Sequence, residues 1–251
     1  MPTDHASLPA PIREARILEE LLRNARIELP ATGRLVGRLG LAGNFAEQAI
    51  ALGAPAPPAI PEDAAQMRAR YFTFGEYNLA HTTLNHQLIL QHGLGSLIER
   101  LHSLEPEPDE PTDPMLAGMA IALSAVCRWI ERHWKAAHAA AEAARGEERT
   151  RLESLAEACR LIGWHPAHSF HEALQAVLFM RLAVGLSERS QASLSLGRLD
   201  QDLLPFYRDD LAAGVPQAEL EELLADFFVA LNEFGDPAST VNLGGMDAEG
   251  H

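Results

Sequence analysis

From Ser169 onward the chain reads Ser-Phe-His-Glu-Ala-Leu-Gln and continues through Val177, Leu178, Phe179, Met180, Leu182, Val184 and Leu186. Ser169 with Glu172 three residues on has the form of a capping box, which starts a helix by satisfying its first backbone amides. The residues after it are apolar on nearly every side. A helix of that kind must be buried on most of its faces. This stretch constrains the fold most, because the other elements have to pack around it.

There is enough material to do so. The chain has 251 residues, of which 47% are hydrophobic. Its formal net charge is -15, and no cluster of Lys and Arg offsets it. Nucleic-acid phosphate and anionic lipid would both be repelled, so we expect neither as a partner. The two cysteines, Cys127 and Cys159, fall inside helical patterns and read as buried, reduced thiols. No run reaches the roughly 18 consecutive apolar residues of a membrane span. The first residues lack a basic-then-apolar secretion pattern. The expectation is a cytoplasmic protein.

Helical spacing of Ile17, Leu18, Leu21 and Leu22 predicts an amphipathic helix over 12–27. Residues 29–43 are glycine-rich and irregular, with room for one short strand, and 54–61 is a proline-rich connector. Helices are expected over 61–79 and 87–102. In the second, Gly93 and Gly95 each cost about 1 kcal/mol relative to Ala, which close approach of a neighbouring backbone would explain. Residues 105–114 alternate acids and prolines and form the best linker candidate. Thr112 or Asp113 can cap the next helix, with Pro114 at its first position. That helix runs to about residue 145 and pairs antiparallel with a second over 147–161. Two more helices are expected over 200–212 and 217–234. Residues 239–243 alternate in polarity and read as a strand.

Candidate chemistry is sparse. His165, His168 and His171 lie close in sequence, but Pro166 and the helix start at Phe170 should make their rings diverge, so no metal site is expected. The glycines of 37–43 do not follow a dinucleotide-binding pattern, and the segment reads as a flexible loop. Arg128 and Arg160 follow the two cysteines directly, and on a helix adjacent side chains point apart. The cluster Ser193, Ser195, Arg198, Asp200 is the exception. In extended backbone both serines face one side. Arg198 can hold Asp200 or clamp a substrate carboxylate. From spacing alone, a loop cap and a substrate pocket both remain open.

At these residues the chain resembles a known family. His168 to Gln175 resembles the Thr-Phe-His-Glu-Ala-Leu-Gln segment of glycyl radical enzymes of the pyruvate formate-lyase type. Ser193 to Gln201, followed by Pro205-Phe-Tyr207, is similar to the family's next block. Ala80 to Asn85 and His92 to Leu97 are similar to an earlier one, while Leu231-Asn-Glu233 and Leu243-Gly-Gly245 resemble a later one. Order and spacing agree from about residue 61, and residues 1–60 match weakly.

The resemblance implies a mainly α chain with a few β strands, the N-terminal portion (1–251) of a domain whose whole fold is an α/β barrel. It implies radical cleavage of C–C or C–O bonds in a small polar substrate, in the manner of a formate acetyltransferase, lyase or diol dehydratase. No cofactor is bound directly. The family's glycyl radical is installed by a separate activating enzyme that uses S-adenosylmethionine and an iron–sulfur cluster. The substrate-binding positions it implies are His81 and Ser193 or Ser195, with Arg198 and Asp200 beside them. No catalytic residue is assigned, because the family's thiyl cysteine and radical glycine loops would lie beyond His251. The expectation is therefore a fragment inactive by itself, with substrate and activating enzyme as partners of the intact enzyme and room for a homo-oligomer. A non-catalytic helical scaffold or binding module derived from the fold is the alternative.

Overall fold

The computed structural model describes residues 5–38, 45–55, 83–104, 113–187, 195–233, 241 and 244. These residues form eight helices: α1 (Ala10–Asn24), α2 (Phe45–Ala51), α3 (His86–Ser103), α4 (Pro114–Ala143), α5 (Gly146–Arg160), α6 (Phe170–Ser187), α7 (Leu199–Ala212) and α8 (Gln217–Glu233). Among the described residues no strand is formed: the part of 29–43 that is described is irregular, and the isolated parallel bridge between Thr83 and Ser195 lies outside both expected strands. The helix expected over 61–79 and most of the 105–114 linker lie outside the described residues. So does the 239–243 strand, apart from Val241.

Helix α6 is the hub. Fourteen of its eighteen residues are buried, including Gln175 and Arg181. Each fully buried Val, Leu, Phe or Met there contributes about 1.5–3 kcal/mol, so this one element accounts for much of the core. Its N-terminus is satisfied in a modified way. Glu172 N donates to Ser169 Oγ (3.2 Å), but the Glu172 carboxylate takes the amide of His168 (2.7 Å) rather than that of Ser169. The amide of Phe170 donates to Asp210 of α7 (2.9 Å). The start of α6 is thereby tied to α7 as well as capped locally.

Helices α4 and α5 form the expected pair, joined through Ala144 and Arg145. Asp113 is the cap of α4, accepting from Met115 N (2.8 Å), with Pro114 in the first turn. The thiol of Cys127 donates to the carbonyl of Gly163 (2.6 Å), so the chain beyond α5 returns to the middle of α4. By length and composition α4 is apolar enough to cross a membrane, with a mean hydropathy of 1.3 over its best 18-residue window. Here α1, α3 and α5 pack along it. Its Trp129 meets Phe179 of α6 edge-on at 5.1 Å between ring centroids.

Two features that helical periodicity does not carry position the rest. First, α3 is not continuous. Gly93 has φ +70°, and a Cβ there would lie 2.4 Å from the backbone of His165. The ladder breaks at this point, and the freed groups are taken up by the crossing segment, through Ala167 N to Leu90 O (3.0 Å) and Gly95 N to Trp164 O (2.9 Å). The glycines are explained by close approach, as expected. Second, residues 33–38 form a strap laid across α5, α6 and α8. Arg151 donates to Gly33 O, and Asp226 accepts from Arg34 N. Gln175 accepts from Val36 N (2.7 Å) and donates to Val36 O (3.1 Å). A Cβ on Gly37 would lie 2.6 Å from the Ala230 carbonyl oxygen. Residues 33–38 are irregular, as expected. At Gly37, though, the expectation of a flexible loop is corrected, because close packing and side-chain hydrogen bonds hold this part in place.

Candidate functional site

Ser195 follows α6 in the chain and pairs in parallel with Thr83, just before α3. The pairing brings together the two segments that carry the expected pocket residues. Ser195 Oγ accepts from Gly197 N (3.2 Å), a local turn that leaves its own hydroxyl proton free to donate. Gly197 has φ +63°, and a Cβ on it would meet Thr83 Cγ2 at 3.1 Å. A glycine suits both the left-handed backbone and the close approach of Thr83 there.

Arg198 occupies the N-cap position of α7. Its Nε and Nη2 donate to the two carboxylate oxygens of Asp200, each at 3.3 Å. Asp200 Oδ2 also accepts from the amide of Gly244 (3.1 Å). The Arg198 guanidinium, first among the causes, holds the Asp200 carboxyl below the ordinary aspartate range. Asp202 moves the opposite way, raised by burial and then by the charge of Asp200. Arg198 and Asp200 thus form one clamped unit that joins the start of α7 to the chain near Gly244. His81 and Ser193 lie outside the described residues.

A buried imidazole that sequence reasoning passed over belongs to this region. His86 opens α3, three residues after Thr83, and is 2% exposed. Its Nε2 is buried without a hydrogen-bond partner among the described residues. Burial lowers its pKa to about 4, so the ring is neutral. A buried, unpaired ring nitrogen is uncommon and points to a bound water or ligand. A second histidine five residues after His81 was the signal available in the sequence.

The other candidates are occupied elsewhere. His171 Nε2 donates to the Arg34 carbonyl (2.9 Å), while His168 Nδ1 faces Glu172 (3.5 Å), so the rings diverge. Cys127 and Cys159 are buried. Burial pushes the Cys127 thiol up to about 12 and raises Cys159 as well. Arg128 turns to Glu19 and Arg160 to Glu157, so neither activates its neighbouring thiol.

A family model described as Pyruvate formate lyase-like matches residues 56–251. The chain belongs to this family. Its relatives include the isethionate sulfite-lyase of Nitratidesulfovibrio vulgaris, 31% identical over 161 residues that cover 61% of this chain and 19% of the relative. A glycyl radical enzyme from Archaeoglobus fulgidus superposes with a TM-score of 0.77 at 22% identity, over 98% of this chain and 40% of that one. The glycerol-bound, B12-independent glycerol dehydratase of Clostridium butyricum gives 0.74 at 20% identity, over 97% and 39%. At those identities the two structures establish the likeness of fold. The chain spans about a fifth of the curated relative's length. It corresponds to an N-terminal part of the longer pyruvate formate lyase-like chains. The family's model begins at residue 56, yet α1 packs along α4 and the 33–38 strap is bonded to α5, α6 and α8. Residues 10–38 are thus an integral part of the helical body.

Proposed function

We propose that this chain supplies one wall of the substrate pocket in a glycyl radical lyase or dehydratase acting on a small hydroxylated molecule. The observation that carries the reading is the parallel pairing of Thr83 with Ser195. It joins the two segments that the family resemblance marks as pocket-lining, with His81 and Ser193 each two residues before the paired positions. Isethionate and glycerol, named for two of the similar proteins, are both small and hydroxylated. In this reading the serine hydroxyls and His81 meet the substrate's oxygens. Arg198 and Asp200 orient the serine segment and flank the pocket, and the imidazole of His86 offers a further polar atom to the substrate or to an ordered water. The radical chemistry itself requires the family's cysteine and glycine loops, and Cys127 and Cys159 do not supply it. The intact enzyme would depend on a separate activating enzyme and work in the cytoplasm.

A second reading is a non-catalytic helical scaffold. It is favoured by the mutual pairing of Arg198 and Asp200, which spends both charges on holding the chain. Reading the coding sequence past the His251 codon separates the two. A frame that continues into a Cys-x-Glu segment and a glycine loop supports the enzyme. Expressed without oxygen alongside its activating enzyme, that frame should develop a glycyl radical signal in electron paramagnetic resonance. With the substrate it turns over, Ser195→Ala should then cut turnover by about tenfold or more. A stop codon after His251, with no complementary chain encoded nearby, would leave the scaffold.

A further inference from the structure

Thr83 stands just before Asn85, whose side chain caps α3 by accepting from Leu88 N (3.0 Å). Ser195 stands just before Arg198, the N-cap of α7. Whether Thr83 and Ser195 can pair therefore depends on where the starts of α3 and α7 sit relative to each other. These two helices make little contact with each other, although each packs on α6. One short segment is bonded to both.

That segment is residues 164–170. At one end it crosses α3 at its break. Ala167 N donates to Leu90 O (3.0 Å) before the break, and Trp164 O accepts from Gly95 N (2.9 Å) after it. The closest approach, at Gly93, falls on the peptide between His165 and Pro166. Proline has no amide proton, so the nitrogen pressed against Gly93 leaves no donor unpaired. The first half of α3 thus leaves the break in a direction that the crossing segment sets. At the other end Phe170 N donates to the Asp210 carboxylate (2.9 Å), and the Phe170 ring meets Tyr207 edge-on at 5.6 Å between centroids. Both of these partners lie on α7. Between the ends, the Glu172 carboxylate holds the His168 amide and Ser169 caps α6. Bonded at 164, 167, 168 and 170, and with φ fixed at Pro166, the segment is stiff.

We propose that residues 164–170 act as a brace between α3 and α7 that sets the Thr83–Ser195 pairing, with Asp210 as the positioning residue at its α7 end. The proposal rests on the reading of the two paired segments as pocket wall, and adds what holds them at their spacing. Through the brace, groups at the start of α6 and on α7 decide how far apart the two segments stand.

The test uses the full chain labelled at threonine methyls and at glycine. One α-proton of Gly197 points where a Cβ would come within 3.1 Å of Thr83 Cγ2, so the pairing gives a nuclear Overhauser cross-peak between them. Asp210→Ala removes the α7 anchor, read as faster hydrogen exchange at the Phe170 amide. Gly95→Ala pushes on the other end, since its Cβ would lie 2.5 Å from the Trp164 carbonyl oxygen. In each variant the cross-peak should fall by about half or more as the unpaired population grows. Asp210→Asn keeps an acceptor for Phe170 and should keep the cross-peak. Asp113→Ala removes the cap of α4, outside the brace, and should lower stability without moving the cross-peak. Circular dichroism checks the fold of each variant, and if Gly95→Ala does not fold, Asp210→Ala against Asp210→Asn decides. An unchanged cross-peak in both end variants, with Phe170 exchanging faster in Asp210→Ala, would overturn the brace and leave the pocket reading standing. An equal fall in Asp113→Ala would also overturn the brace, because any loosening of the fold would then suffice. Absence of the cross-peak from the unsubstituted chain would overturn the pairing, and with it both the brace and the pocket reading.

Discussion

Asp200 shows how a single carboxylate can organise a turn. It accepts two bonds from Arg198 and one from the Gly244 amide, which are charge-assisted and therefore stronger than neutral pairs. Asp200→Asn keeps the shape but removes the charge. We expect the Gly244 amide to exchange with solvent about tenfold faster in that variant, read by hydrogen exchange. His86 makes the opposite case, a polar atom buried with no partner among the described residues. With an ordered water on Nε2, His86→Leu loses that hydrogen bond, and urea unfolding at pH 7 should show a loss of about 1–2 kcal/mol. A gain instead would mean that the nitrogen is left unpaired in solution. The Arg198–Asp200 pair was legible from spacing, because the residues are neighbours in sequence. The Gly244 bond was not, because it spans 44 positions.

At the scale of elements, the helices were readable where periodicity and caps agreed, as in α4 and α6, and from periodicity alone in α1. The break in α3 was readable only as a suspicion. Gly93 and Gly95 were out of place in a helix, but the crossing segment that requires them comes some 70 residues later. Two glycines provide a contrast. Gly93→Ala puts a Cβ into the His165 backbone at positive φ, and should cost about 3 kcal/mol or more in urea unfolding. Gly146 also has positive φ (+58°) but open space around it, so Gly146→Ala should cost only about 1 kcal/mol. Gln175, fully buried on α6, serves both backbone groups of Val36. Gln175→Leu keeps the volume but strands a buried donor and acceptor. The expected loss is about 2–4 kcal/mol, measured the same way.

For the whole molecule, acid is the informative stress. His86 and His133 are buried, and each has its pKa lowered from 6.5 to about 4, burial being the leading cause. The unfolded chain therefore takes up these protons first as the pH falls. Their contribution is complete above about pH 6.5, shrinks below it and levels off near pH 4, with a total loss on the order of 3 kcal/mol per histidine. Asp200 works in the same direction at lower pH, because its folded pKa is depressed. Urea midpoints taken between pH 7.5 and 4 should fall with this profile. His133→Phe should flatten the upper part of the curve, because a ring that cannot be protonated carries no such dependence.

Residue types and their local spacing determined the helices, the burial of α6 and the several blocks in register that mark the family. Those signals act within a turn or two of chain, so they are written into neighbouring residues. Tertiary structure alone decided the strap at residues 33–38, the pairing of Thr83 with Ser195 and the tie from Asp200 to Gly244. Each depends on groups far apart in sequence meeting once the core has closed. The strap is the clearest instance, because its backbone takes partners from Gln175, 139 residues away, and Asp226, 192 residues away. Backbone polar groups that leave water must be paired, and only the assembled helices bring such partners within reach.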